Sequence, residues 1–193
     1  MSSSSRFLSV IVDILGRALS RSGGGGQQSR PRPRATLRRD GAGGQQRSTA
    51  ADAGRMPGSE TVRIDPERVR DVSVGYSPSR NGLPDSGEII WTWVPYEEDD
   101  GRGKDRPVLV IGRQSADRVY AVRMTSTRHD RDRDFIPIGS GGWDSQGRES
   151  WVDIEQLYSV HDDGMRREAA VLDAGRYGRV AQALMGRYGW ARA

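Results

Sequence analysis

Six short hydrophobic segments, separated by polar turns, occupy the second half of this 193-residue sequence. They lie at residues 88–94, 107–111, 119–124, 135–138, 150–152 and 169–172. The first alternates apolar and polar side chains, and the second is a continuous run of β-branched and aliphatic residues; both patterns are typical of β-strands. Five or six short strands joined by tight turns predict a small, strongly bent β-barrel.

The C-terminal stretch has a different period. Apolar side chains recur there at i, i+3, i+4, i+7 and i+11, which is the spacing of one helix face. They are Tyr177, Val180, Ala181, Leu184 and Tyr188. Asp173 precedes them as a candidate N-cap. The predicted fold class is therefore mainly β with one C-terminal helix.

The N-terminal third is compositionally distinct from this domain. Residues 1–60 hold ten arginines, four acidic residues and 10 of the 25 glycines, for a net charge of +6 within a chain whose total is +4. Residues 61–193 carry a net charge of −2. A basic, glycine-rich segment with one aromatic residue, Phe7, buries too little apolar surface to offset its ordering entropy. It predicts a largely disordered basic N-terminal arm, with a linker over 21–60.

Two segments of this region carry local signals. Residues 7–19 show helical periodicity, so 1–20 is a candidate amphipathic helix. It either contacts a membrane surface or a partner, or it forms only when something covers it, or it does not form at all. Residues 61–84 read as a linker or a short helix followed by a turn cluster, which places the start of the ordered domain near Leu83, with the domain at 85–193. Met56 offers an internal start that would delete the arm.

Composition excludes several kinds of chemistry. The chain has no cysteine, two histidines and no apolar run of 18 residues. Disulfides, thiolate metal sites and cysteine nucleophiles are absent, and the sequence contains no membrane-spanning run. We expect a cytoplasmic protein that needs no metal or cofactor.

Five short motifs occur in a characteristic order. They are GEIIW at 87–91, GKDRPVLVI at 103–111, MTS at 124–126, EQ at 155–156 and GW at 189–190. Together they resemble the MazF/PemK-like toxins of type II toxin-antitoxin systems, over residues 85–190. The resemblance implies an SH3-like barrel and a homodimeric, metal-independent endoribonuclease that cuts single-stranded RNA. In that reaction the RNA 2′-hydroxyl attacks the adjacent phosphate and leaves a 2′,3′-cyclic phosphate. The implied partners are single-stranded RNA and a cognate antitoxin, with DNA contacted only through the antitoxin.

The resemblance also implies catalytic residues. Arg106 falls on the family's catalytic arginine, which would stabilise the doubly negative transition state. Thr125 falls on the catalytic hydroxyl residue, with Ser126 beside it. The alternatives are an Arg106 that pairs with Asp99, Asp100 or Asp105 at the surface, and a Thr-Ser pair that caps a turn.

The sequence departs from the family pattern in two regions, the loop before Arg106 and the late strand. In the loop before Arg106, Gly101 and Arg102 occupy slots where members often carry Glu and Gln, although other acidic residues of this loop could still reach the site. In the late strand, where some members use Arg and Asp, this chain has Asp153 and Glu155. Glu155 is the candidate acid, the general base stays unassigned, and an inactive homologue stays open.

The loop at 128–134 is the remaining candidate RNA contact. Its arginines could stack on bases, and the alternative is a solvated, self-paired loop. The predicted substrate-binding residues are Arg102, Arg128, His129 and Arg131. The alternative function for the whole chain is a noncatalytic SH3-like binding module, tethered by its arm to a partner or a membrane surface.

Overall fold

The computed structural model describes residues 54–70, 72–79, 82–98 and 101–193, without the side chains of 168 and 169. The predicted helix at 7–19 and most of the predicted linker at 21–60 lie outside these residues. In the described part the chain forms nine β-strands and one α-helix. They are β1 Val62–Ile64, β2 Ser73–Val74, β3 Glu88–Pro95, β4 Gly103–Arg113, β5 Arg118–Thr125, β6 Phe135–Gly139, β7 Ser150–His161, β8 Met165–Val171, α1 Ala174–Tyr188 and β9 Ala191–Arg192.

One antiparallel sheet organises the domain. Its strand order is β1-β7-β5-β4-β3-β8, and β6 also pairs with β7. Strands β2 and β9 form a separate parallel pair. The predicted mainly β fold with a C-terminal helix is confirmed. The predicted closed barrel is not found, because the described strands pair in an open order with β1 and β8 at its two ends.

Two apolar clusters cover the two faces of this sheet. One contains Leu109, Val122 and Leu157 and packs against α1, whose buried residues include Val180 and Leu184. The other contains Val108, Ala121 and Tyr158. Successive strand side chains point to opposite faces, so neighbouring residues such as Val108 and Leu109 contribute to different clusters.

Helix α1 begins after Asp173, the predicted N-cap. The Asp173 side chain accepts a hydrogen bond from the Arg176 backbone N–H at 2.9 Å, as an N-cap does. Gly189 adopts the left-handed conformation at the other end, with φ of 69°. No helix in the described ranges is long and apolar enough to cross a membrane.

A segment ahead of the predicted domain packs against it. We call the described residues of 54–79 the strap. Val72 and Val74 of the strap are buried in the cluster beneath α1. The Trp190 indole N–H donates to the Val69 carbonyl at 2.8 Å, and the Tyr76 hydroxyl donates to the Leu172 carbonyl at 2.9 Å.

The strap changes how residues 61–84 are understood. The sequence predicts a linker or a short helix there, with order from about residue 83. The structure has a short 3-10 helix at Pro66–Arg68, capped by Asp65, and also two strands, β1 and β2. Strands of two or three residues are too short to show a periodic pattern. Their partners, β7 and β9, lie far away in the sequence.

Candidate active site

Two arginines from neighbouring strands face the same side of the sheet. Strands β4 and β5 are antiparallel, and Val108 pairs with Arg123. Arg106 and Thr125 each lie two residues beyond that pair, so they share its face at one end of the sheet. The strand pairing thus gathers Arg106, Arg123 and Thr125.

The two arginines differ in whether a carboxylate pairs with them. Arg123 forms an ion pair with Asp153 of β7 at 2.5 Å, and the two side chains are 20% and 2% exposed. Arg106 is half-buried and has no carboxylate partner among the described residues. Burial lowers the pKa of Arg106, and the positive charge of Arg123 lowers it further. A partly buried cation beside a second cation favours the binding of an anion.

A chain of hydrogen bonds lies next to these arginines. The Tyr158 hydroxyl donates to Gln156 Oε1 at 2.5 Å, and the Gln156 amide donates to the Glu97 carboxylate. Burial raises the pKa of Tyr158; the charges of Asp153 and Glu97 add to this rise, and that of Arg123 opposes it. Glu97 is therefore the acidic residue of the β3–β4 loop that is held by a hydrogen bond near Arg106 and Arg123.

Thr125 and Ser126 lie at the end of β5. With Arg106 they line a cavity of about 530 Å³. Thr125 Oγ1 accepts a hydrogen bond from the Thr127 backbone N–H at 3.1 Å, which is the turn-capping role considered as the alternative. The hydroxyl hydrogen of Thr125 is still available to donate, since this bond uses the oxygen only as an acceptor. The two roles of Thr125 are compatible.

The sequence model of the PemK-like, MazF-like toxins of type II toxin-antitoxin systems matches residues 85–186. The chain belongs to this toxin family. No curated protein matches the chain.

Solved structures of this toxin family are similar to about half of the chain. MazF from Deinococcus radiodurans is 18% identical, with a TM-score of 0.44 over 55% of this chain and 97% of that one. An endoribonuclease in complex with its cognate antitoxin, from a mycobacterial species, is 21% identical with a TM-score of 0.42 over 55% and 95%. The Mycobacterium tuberculosis toxin MazF-mt6 is 16% identical with a TM-score of 0.38 over 52% and 97%.

In this member of the toxin family Glu155, the acid expected from the sequence, does not line the cavity that Arg106 lines. Its carboxylate pairs with Arg187 of α1 at 3.0 Å and lines a different cavity, of about 830 Å³. Burial and the neighbouring Asp134 raise the pKa of Glu155, and the charge of Arg187 opposes that rise. The structure thus brings three of the four predicted catalytic residues to one cavity and places Glu155 elsewhere.

Of the acidic residues considered as surface partners of Arg106, the structure describes Asp105. Asp105 pairs with Arg166 of β8. Asp99 and Asp100 lie outside the described residues. Asp153, which departs from the family pattern in the late strand, pairs with Arg123 on the neighbouring strand.

The predicted RNA-contacting residues are dispersed. Arg102 is exposed at the end of the β3–β4 hairpin, and Arg131 is exposed after β5. Arg128 pairs with Asp130 and lines a third cavity, of about 520 Å³. His129 stacks on Phe135 with ring centroids 3.6 Å apart. The Arg128–Asp130 pair agrees with the self-paired alternative for this loop.

Three residues of this candidate site were not predicted from the sequence, namely Arg123, Gln156 and Tyr158. One signal was present: Arg123 interrupts the otherwise apolar run of 119–124, and a charged residue within a buried strand needs a partner. Within the part of the chain that is described, no group of three His, Asp or Glu side chains could hold a metal ion.

Proposed function

We propose that this chain is the toxin of a type II toxin-antitoxin pair and that it cleaves single-stranded RNA without a metal ion. The observation that carries the proposal is Arg106, a half-buried cation with no carboxylate partner in the described ranges, on a cavity that Thr125 also lines. Membership of the toxin family supports the toxin role. A phosphate group is the anion that this arrangement suits, because a guanidinium can hold two of its oxygens at once.

The proposed reaction is the one that the family resemblance implies. The RNA 2′-hydroxyl attacks the adjacent phosphorus, the bond from phosphorus to the 5′-oxygen breaks, and a 2′,3′-cyclic phosphate and a 5′-hydroxyl result. Negative charge develops on the non-bridging oxygens in the transition state. Arg106 stabilises that charge, and the Thr125 hydroxyl donates a hydrogen bond to the same group.

Proton removal needs a base near the 2′-hydroxyl. We assign this role to Glu97, because its bond to Gln156 and the bond from Tyr158 to Gln156 tie it to the surroundings of Arg106. Glu155 is the alternative acid from sequence, and its ion pair with Arg187 argues against it.

The proposed partners are single-stranded RNA and a cognate antitoxin, and the proposed assembly is a cytoplasmic homodimer. An antitoxin segment that carries a carboxylate at Arg106 would neutralise the same cation that RNA requires. Inhibition by competition at this arginine would follow.

The test uses the full chain, a long single-stranded RNA and EDTA, with mapping of the cut ends. We expect cleavage with cyclic phosphate ends, and a loss of about 100-fold or more in rate for Arg106→Ala. Arg113→Ala is the matched control, because Arg113 lies on the same strand about 23 Å away. Circular dichroism checks that both variants fold. A folded Arg106→Ala protein that cuts at the wild-type rate would refute the assignment, and RNA binding without any cleavage would support the noncatalytic module.

A further inference from the structure

The strap adds a cation to the face that carries Arg106. Strand β1 pairs with β7 at the edge of the sheet, and Arg63 lies directly opposite Tyr158. The next pair, Ile64 and Leu157, contributes to the cluster beneath α1. Because side chains alternate between faces, Arg63 lies on the opposite face, with Tyr158.

Tyr158 lies between Arg63 and the hydrogen-bonded chain of the candidate active site, since it is directly opposite Arg63 and its hydroxyl donates to Gln156. The charges of Arg123 and Arg63 both oppose the rise in the pKa of Tyr158. Arg63 is exposed and has no carboxylate partner in the described ranges. It is therefore a second available cation on the face of the sheet that carries Arg106.

Arg63 also lines the cavity of about 830 Å³. The strap forms one wall of this cavity, and Tyr96, Glu97 and Gln156 contribute to another. The lining also includes Glu67, Asp65, which pairs with Arg68, and Glu155, which pairs with Arg187. An aromatic ring, hydrogen-bonding side chains and a cation are the groups that proteins use to bind single-stranded RNA, whose bases stack on aromatic rings while cations contact the backbone. The strap lies outside residues 85–186, which the toxin family model matches.

We propose that this cavity is an additional nucleotide subsite, in which Arg63 binds a phosphate that flanks the scissile bond and Tyr96 contacts the adjacent base. The proposal rests on the proposed function for RNA as the ligand. It makes the strap part of the substrate-binding surface. Arg63 is a substrate-binding residue. Arg106, Thr125 and Glu97 keep their proposed roles in bond cleavage.

The first experiment measures binding of the full chain to a single-stranded RNA that carries 2′-O-methyl groups, which cannot attack the phosphate. We expect Arg63→Ala to weaken binding about tenfold and to reduce the slope of log affinity against log salt by about 0.7, the value for one phosphate contact on a single strand. Arg63→Lys should recover part of the affinity, because lysine also binds phosphate as a point charge. Arg68→Ala is the control, since Arg68 is a strap arginine already paired with Asp65 at 3.2 Å.

The second experiment measures cleavage of unmodified RNA. Arg63→Ala should raise KM by about the factor lost in binding and leave kcat within about twofold, which a merely structural role would not produce. Thermal unfolding checks that the Arg63 and Arg68 variants are equally stable.

The outcomes separate the two proposals. If the wild type cleaves RNA and Arg63→Ala behaves like Arg68→Ala, the subsite is refuted and the nuclease stands. If the wild type binds RNA with the Arg63 dependence but does not cleave it, the subsite stands and the nuclease is refuted. If the wild type does not bind single-stranded RNA, both are refuted.

Discussion

Arg106 and Arg123 lie on neighbouring antiparallel strands and face the same side of the sheet, yet of the two only Arg123 has a carboxylate partner in the described ranges, namely Asp153. The cluster of these three side chains keeps a net positive charge. Two cations held close together in a partly buried position destabilise each other unless an anion binds. The arrangement therefore favours an anionic ligand at Arg106.

The two candidate acids can be compared directly. Glu97→Gln should reduce kcat for RNA cleavage by about 100-fold or more if Glu97 removes the proton from the 2′-hydroxyl. Glu155→Gln should change kcat little, because the Glu155 carboxylate pairs with Arg187, whereas Glu97 is joined through Gln156 to Tyr158. Single-turnover kinetics of both folded variants provide the measurement. A larger loss for Glu155→Gln would reverse the assignment.

The Arg123–Asp153 pair predicts a non-additive effect on stability. Asp153→Leu should lower the free energy of unfolding by about 3 kcal/mol, since it leaves Arg123 without its carboxylate beside Arg106. The double variant Arg123→Met with Asp153→Leu should be close to the wild type, because it removes both charges from the buried position. Urea unfolding of the wild type, both single variants and the double variant completes the cycle. Additive losses would contradict the coupling.

The strap predicts that the matched domain needs more chain than residues 83–193. A chain that begins at residue 83 loses the burial of Val72 and Val74 and the hydrogen bond from Trp190 to Val69. Its free energy of unfolding should be about 3–6 kcal/mol lower than that of a chain beginning at residue 54, from the two valine side chains. Urea unfolding of the two proteins tests this, and equal midpoints would show that the strap contributes nothing.

Tyr177 predicts a change in stability at alkaline pH. Its buried hydroxyl donates to the Ile111 carbonyl at 3.2 Å, and burial raises the pKa of Tyr177 to about 12. The unfolded phenol titrates near pH 10, so this stability is present below about pH 10 and is lost as the pH rises towards 12. At pH 7, Tyr177→Phe should cost about 1 kcal/mol of unfolding free energy. That difference should shrink above pH 10 in urea unfolding, and a constant difference across this range would contradict the pKa.

Local patterns predicted the elements whose faces differ in polarity. The alternation at 88–94 marks β3, and the helical period with Asp173 marks α1. Strand β7 was predicted only at 150–152, yet it runs from Ser150 to His161. Its residues are buried on both faces apart from Glu155 and the half-buried His161 at its end, so no alternation extends through it.

The sequence by itself determined the fold class and the toxin family, because strand and helix periods and short ordered motifs are local properties of the chain. It also predicted Arg106 and Thr125 as catalytic residues. Only the tertiary structure decided that Arg123 pairs with Asp153 and that the strap places Arg63 opposite Tyr158. These contacts depend on the register between strands far apart in the sequence, including a register shift between Val122 and Arg123. A shift of one residue moves a side chain to the opposite face of a sheet, and no local pattern specifies it.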